Sequence, residues 1–313
     1  MSGKHFLNLN RRLFMARSAA VLGAMSVPGI TSAALAYAVT PLTESLSVIN
    51  GVGGNVVVFQ SDDGLILVDS GATNANGALQ EAINSYADGA RVKTLFNSHW
   101  HLDQVGGNTY FGGQGANIIA HEKTRLHLAT DYYLFEEDRY QPARPEAAHP
   151  DSTFYTRGEM SDGNEKISYG YLELAHTDGD IYVHFNNANV IAAGDVISPG
   201  IDPGFDWFSG GWIGGRVDAL NLLLNISNAD TQFVPSYGSA SVSRAYVESE
   251  RDLMQFLYST LVDQIRMGFD AQDSLASGVM DNLPRRFDDP YQFLYDAHKG
   301  LWAHHNKLEP NIV

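Results

Sequence analysis

Nine consecutive residues, His99-Trp100-His101-Leu102-Asp103-Gln104-Val105-Gly106-Gly107, constrain this chain more than any other stretch of it. Two histidines two apart, and a carboxylate two further on, put three metal-capable side chains within five residues. The run before them, residues 91–96 (Arg-Val-Lys-Thr-Leu-Phe), has the composition of a strand. The cluster therefore falls on the loop leaving that strand's C-terminal end, where open α/β sheets place their chemistry. A His-x-His pair alone is a common loop feature. The added Asp, the strand before it and the glycine pair after it make this one a candidate metal site.

Around the cluster the chain reads as α/β. Residues 55–59 and 65–68 are apolar runs joined by Ser61-Asp62-Asp63-Gly64, which predicts a β-hairpin. Leu79, Ile83 and Tyr86 fall on one helical face within 75–87. A short helix is expected over 105–112, with Asp103 near its positive end. A strand follows at 117–120, and His121 opens a helix running through Leu128. His121 and His127 are thus expected at the surface or at a helix start. Residues 131–164 are the least regular part, aromatic and acidic with Pro142, Pro145 and Pro150, and read as a flap or a surface loop. Strands are expected near 166–169, 171–175, 181–185 and 190–193. Helices are expected over 215–227 and 240–267, with a packed helical segment in 286–313. No linker or low-complexity tract divides residues 37–313, so they are expected to form a single domain.

Residues 1–36 have the character of an export leader. Asn10-Arg11-Arg12-Leu13-Phe14-Met15 resembles the twin-arginine pattern, and Ala34-Leu35-Ala36 supplies small residues for cleavage after Ala36. The apolar stretch between them is interrupted by Gly23, Ser26 and Pro28 and is too short to span a bilayer. The resemblance implies recognition by the twin-arginine translocase, passage in a folded state and a periplasmic location. The chain has no cysteine, which excludes disulfides and thiolate metal ligands. Four of its 20 basic residues (Lys4, Arg11, Arg12, Arg17) and none of its 36 acids lie in the leader, so the remainder carries a formal charge of −20. Such a surface excludes nucleic acid as a partner, and stable membrane association after cleavage. A small-molecule substrate is the expected partner.

Further motifs accompany the first: Val68-Asp69-Ser70-Gly71, Ala175-His176-Thr177-Asp178-Gly179-Asp180, Ala193-Gly194-Asp195-Val196-Ile197 and Val234-Pro235-Ser236-Tyr237-Gly238. Together, over roughly residues 45–265, they resemble the signature set of the metallo-β-lactamase superfamily. The resemblance implies a four-layer αββα sandwich of two βα halves, with 54–130 loosely echoed by 152–234. It implies that His99, His101 and His176 give three neutral imidazoles to one Zn²⁺ and leave a position for water, the open arrangement of a catalytic zinc. Asp195 matches a carboxylate that can bridge two metals, and Asp69 matches a structural carboxylate. Two positions depart from the family: the histidine expected after Asp103 is Gln104, and the last histidine is Tyr237. With Asp103, those are the ligands of the family's second ion. An amide oxygen and a phenol are poor zinc ligands beside two imidazoles.

One zinc per chain is therefore expected. Asp103 becomes free to act as general base, and Tyr237 to donate to a developing oxyanion or to protonate a leaving group. The aromatic run Phe205-Asp206-Trp207-Phe208-Ser209-Gly210-Gly211-Trp212 offers a wall for an apolar group or a core-packed loop. Three functions fit these residues. The first is a periplasmic single-zinc hydrolase of a small ester, amide, thioester or lactam. The second is a mononuclear iron oxygenase resembling persulfide dioxygenases, with His99, His176 and Asp195 as its ligands. The third is a non-catalytic descendant that binds a metal or a ligand.

Overall fold

In the central strands apolar residues follow one another without a polar break, because both faces of each sheet are covered. Val56 and Val58 point to one side and Val57 and Phe59 to the other, and all four are buried. The computed structural model describes residues 37–61, 63–134 and 138–305. The expected leader and residues 306–313 lie outside them.

The strands are β1 (Ala38–Pro41), β2 (Leu46–Asn50), β3 (Val56–Ser61), β4 (Gly64–Val68), β5 (Val92–Phe96), β6 (Asn117–His121), β7 (Tyr132–Leu134), β8 (Arg139–Gln141), β9 (Ser152–Phe154), β10 (Arg157–Asp162), β11 (Glu165–Tyr171), β12 (Ile181–Phe185), β13 (Val190–Gly194), β14 (Gln232–Pro235) and β15 (Val242–Ser243). The α-helices are α1 (Asn76–Ala87), α2 (Asn108–Gly113), α3 (Glu122–Ala129), α4 (Ile213–Ile226), α5 (Arg244–Arg266), α6 (Ala271–Ala276) and α7 (Pro290–Ala303). One sheet has the order β1-β2-β3-β4-β5-β6-β9, antiparallel to β4 and parallel beyond it. The other has the order β10-β11-β12-β13-β14-β15, with β13 and β14 parallel.

Three cores make four layers. Leu46, Val57, Phe59, Phe96 and Ile119 of the first sheet meet Ile167, Val183, Phe185 and Val234 of the second. The outer face of the first sheet packs Ile49, Val58 and Leu67 against Leu79, Ile83 and Phe111 of α1 and α2. The outer face of the second packs Ile191 and Phe233 against α4, α5 and α7 through Leu220, Leu257 and Leu294. This is the αββα sandwich.

The parallel strands β4, β5, β13 and β14 end in the loops carrying Asp69, His99, Asp195 and Tyr237. These loops are tied together: Ser98 N donates to Asp69 Oδ1 at 2.7 Å, and Ser236 N to Gly194 O at 3.1 Å. The glycine pair has a steric reason. A Cβ on Gly106 would come 2.1 Å from Thr73 N, and one on Gly107 would come 2.7 Å from Ser70 O. Only bare backbone lets the loop run this close to the 70–73 turn.

The structure departs from the sequence expectation in several places. Residues 171–175 are not a separate strand: β11 runs unbroken from Glu165 to Tyr171, and an irregular turn follows. Gly170, which falls between the two expected strands, lies within the ladder opposite Tyr182, whose ring covers the space where its Cβ would be. Helix α2 begins at Asn108, so Asp103 sits in the turn before it and not at a helix end. Residues 131–164 do not form one flap: β9 joins the first sheet, β10 edges the second, and β7 and β8 pair in a small ribbon. His121, though buried, stands at a helix start as expected and caps α3, its Nδ1 accepting from Lys123 N. His127 is not a free surface histidine, since it stacks on Trp100 and lies 2.8 Å from Asp178.

Candidate metal centre

The loops leaving β5, β11 and β13 bring His99, His101, His176 and Asp195 together, one ligand atom from each within 4.8 Å of all the others. His176 Nε2 lies 3.2 Å from His101 Nδ1 and 3.3 Å from Asp195 Oδ2, and His99 Nε2 lies 3.6 Å from the same oxygen. Ligands about 2.0–2.1 Å from one zinc at tetrahedral angles stand about 3.3 Å apart. The spacings are those of a shell around one small cation.

The second nitrogen of each imidazole is already engaged. Ser98 Oγ lies 3.0 Å from His99 Nδ1, Asp206 Oδ2 lies 3.2 Å from His101 Nε2, and the Gly204 carbonyl accepts from His176 Nδ1 at 3.0 Å. A carbonyl can only accept, so His176 carries its proton on Nδ1 and turns the lone pair of Nε2 inward. Such outer partners fix ring orientation in metal sites. His99 Nε2 and Asp195 Oδ1 are buried without a hydrogen-bond partner among the described residues. A bound cation gives His99 Nε2 a partner, so the residues fit a metal ion.

Burial, reinforced by the charges of His101 and His176, holds the His99 imidazole well below its usual range. Burial alone would lower His101 too, but the hydrogen bond and charge of Asp206, with Asp103 and Asp195, raise it to about 9. The carboxylates thus favour positive charge at this point, and a divalent cation held by the same imidazoles answers that demand. Asp206 itself, despite burial, is lowered by His101.

Two carboxylates fix the loops. Asp69 Oδ1 accepts the Ser98 N–H at 2.7 Å; burial, then the charges of Asp195 and Asp103, raise it to about 8 against the pull of Ser98. Asp180 Oδ2 accepts the N–H groups of His176 and Thr177 at 2.6 and 2.7 Å, pinning the backbone that presents His176.

Asp103 and Tyr237 meet beside the ligands, the Tyr237 hydroxyl donating to Asp103 Oδ2. Burial and the charge of Asp195 raise Asp103 above the usual carboxylate range. Gln104 is fully buried, its amide lying over Gly54, where a Cβ would come 2.4 Å from Gln104 Oε1. Of the aromatic run, Phe205 and Trp212 go to the core and Phe208 is exposed. Trp100 stands against the His101 ring at 4.5 Å and against Tyr132 at 4.6 Å; Phe208 lies 6.4 Å from Tyr132. Asp206, Ser98 and Gly204 were not singled out from the sequence. Asp206 lay inside a run read for its aromatics, and the other two act through a hydroxyl and a carbonyl that no motif marks.

Solved structures share this fold. They include a metallo-beta-lactamase from Pontibacter korlensis (TM-score 0.58, 18% identity, 70% of this chain and 99% of that one). The DIM-1 metallo-beta-lactamase is similar to the same degree (TM-score 0.55, 16% identity, 70% and 97%). A stereoselective inverting sec-alkylsulfatase, Pisa1 from Pseudomonas sp., matches over 88% of this chain but 50% of its own (TM-score 0.62, 12% identity). At these identities the likeness is one of fold. A model of the metallo-beta-lactamase superfamily matches residues 49–283, a span that holds every ligand of the centre. With its sandwich, its clustered histidines and this match over most of its length, the chain belongs to the metallo-beta-lactamase superfamily, whose fold is that of metal-dependent hydrolases.

Proposed function

We propose that this protein is a single-zinc hydrolase of the periplasm that acts on a small ester, amide, thioester or lactam bearing an apolar group. The observation that carries the single-zinc reading is the hydrogen bond from Tyr237 to Asp103. Asp103 would be the strongest remaining ligand of a second ion, and its carboxylate is committed to the residue standing where the family has a histidine. Among the described residues, the four-residue group at His99 is the one set of three or more His, Asp or Glu gathered closely enough to hold an ion.

His99, His101 and His176 would hold the zinc, with Asp195 as a further ligand. A zinc ion held there would supply a Lewis acid and would lower the pKa of a bound water towards neutrality. Asp103, raised by burial, accepts a proton from the attacking water. Tyr237, already bonded to Asp103, passes a proton on to the leaving group. Trp100 is buried behind His101, while the exposed Phe208, 6.4 Å from the half-buried Tyr132, offers an apolar surface for part of the substrate. The similar structures include lactamases and an alkylsulfatase, so fold alone does not choose the bond. An iron oxygenase using His99, His176 and Asp195 would leave His101 idle. Yet His101 Nδ1 is 3.2 Å from His176 Nε2 and its other nitrogen is held by Asp206, which favours three imidazoles.

Protein purified without added metal should hold one zinc per chain and hydrolyse members of an ester, thioester and lactam panel. Tyr237→Phe should keep the zinc and lose about 10²-fold in kcat, the size of a general acid–base contribution. Iron in place of zinc would replace this reading with the oxygenase. Zinc with no turnover on any panel member would make the protein a binder.

Export is proposed to depend on the arginine pair. With Arg11→Lys and Arg12→Lys together, precursor should accumulate in the cytoplasm, seen by fractionation and immunoblotting. Processed protein still reaching the periplasm would remove the twin-arginine translocase from the scheme.

A further inference from the structure

The loop joining β13 to α4, residues 195–212, reaches the centre at three points: the Asp195 carboxylate, the Gly204 carbonyl on His176 Nδ1, and the Asp206 carboxylate on His101 Nε2. Behind it lies a buried ion pair. Arg216, in the first turn of α4, is fully buried, and its Nη2 is 2.9 Å from Oε1 of Glu250 on α5, whose side chain is equally shut off from solvent. Arg216 Nη2 also donates to Ser198 Oγ at 2.6 Å, and Nη1 donates to Gly204 O at 3.3 Å. Both Glu250 oxygens accept the Ser198 N–H at 3.2 Å. The pair therefore grips the loop at Ser198 and at Gly204. The Gly204 carbonyl accepts from the guanidinium and from His176 alike.

Stability gives a weak reason for charges here, because apolar side chains of similar volume commonly replace a buried ion pair without loss. The planar fork of arginine gives a better one: a single side chain satisfies a carboxylate, a hydroxyl and a carbonyl in fixed directions. We propose that Arg216 and Glu250 are positioning residues that set the 198–204 segment, so that Gly204 O orients His176 and Asp195 meets the imidazoles at metal-ligand spacing. This rests on the reading that the centre holds a metal. The effect is carried by the tautomer and orientation of His176, which exist with or without the ion.

The test compares wild type with two variants, Arg216→Lys and the double Arg216→Met with Glu250→Leu. Zinc affinity is measured by chelator competition. The His176 tautomer is read in metal-free protein by long-range ¹H–¹⁵N NMR. The double variant should stay folded by circular dichroism, bind zinc about 10–100-fold more weakly and lose the fixed Nδ1–H form of His176. The lysine variant keeps a charge opposite Glu250 but cannot reach both Ser198 Oγ and Gly204 O, and should bind zinc about tenfold more weakly. A folded double variant with unchanged affinity and unchanged tautomer overturns the proposal. If the double variant does not fold, the lysine variant decides on the same two readouts. A wild type that takes no zinc defeats the metal reading by itself, while the tautomer comparison still decides the positioning role.

Discussion

Alanine at His99, His101 or His176, one at a time, should strip most of the bound metal and lower hydrolysis by about 10³-fold, the rate equivalent of ~4 kcal/mol of charge stabilisation. Each imidazole supplies one of three protein nitrogens, and each points inward because its other nitrogen is held from outside. The fold should survive. Its three cores are apolar and none includes a metal ligand. His99 is the most buried of the three, so its alanine variant leaves the largest void and should show the largest drop in melting temperature. Metal content is read by elemental analysis and the fold by circular dichroism. Unchanged metal in two of the three variants would remove these residues from the centre.

Much of the site was legible because it is local. His99, His101 and Asp103 share five residues at the end of one strand, and the glycine pair after them answers to a close pass that sequence marks with missing side chains. The hairpin was legible in the apolar runs 55–59 and 65–68, whereas the four layers were expected from the resemblance; the burial of Val56 to Phe59 on both faces accords with them. What stayed hidden depends on closure of the chain. Asp206 reaches His101 across 105 residues, and Glu250 reaches Ser198 across 52. No periodicity predicts either. The same holds for the misplaced strand at 171–175: that Gly170 belongs to one continuous ladder shows only in its pairing with Tyr182, whose ring fills its side. Likewise Gln104 and Tyr237 stood out as two departures from one pattern, but only the fold puts the tyrosine hydroxyl on Asp103.

That contact sets the expected result of rebuilding a second site. Gln104→His alone or Tyr237→His alone should leave metal content at one per chain. In the first, Asp103 remains bonded to the tyrosine; in the second, the buried amide of Gln104 still stands where a nitrogen ligand is needed. The two changes together release Asp103 and add two imidazoles beside it, with the unpartnered Oδ1 of Asp195 available as a bridge. Metal content, read by elemental analysis in excess zinc, should then rise towards two, with the ions about 3.5–4 Å apart in a crystal structure, the spacing of two-metal centres. Gly54 makes this feasible, since its bare backbone already leaves room for the side chain at position 104. A wild-type protein that already holds two ions at this cluster would overturn the single-metal reading. Asp103 would then be a ligand and not a base, Tyr237 would be bonded to a coordinated carboxylate, and the attacking water would be activated between two metals.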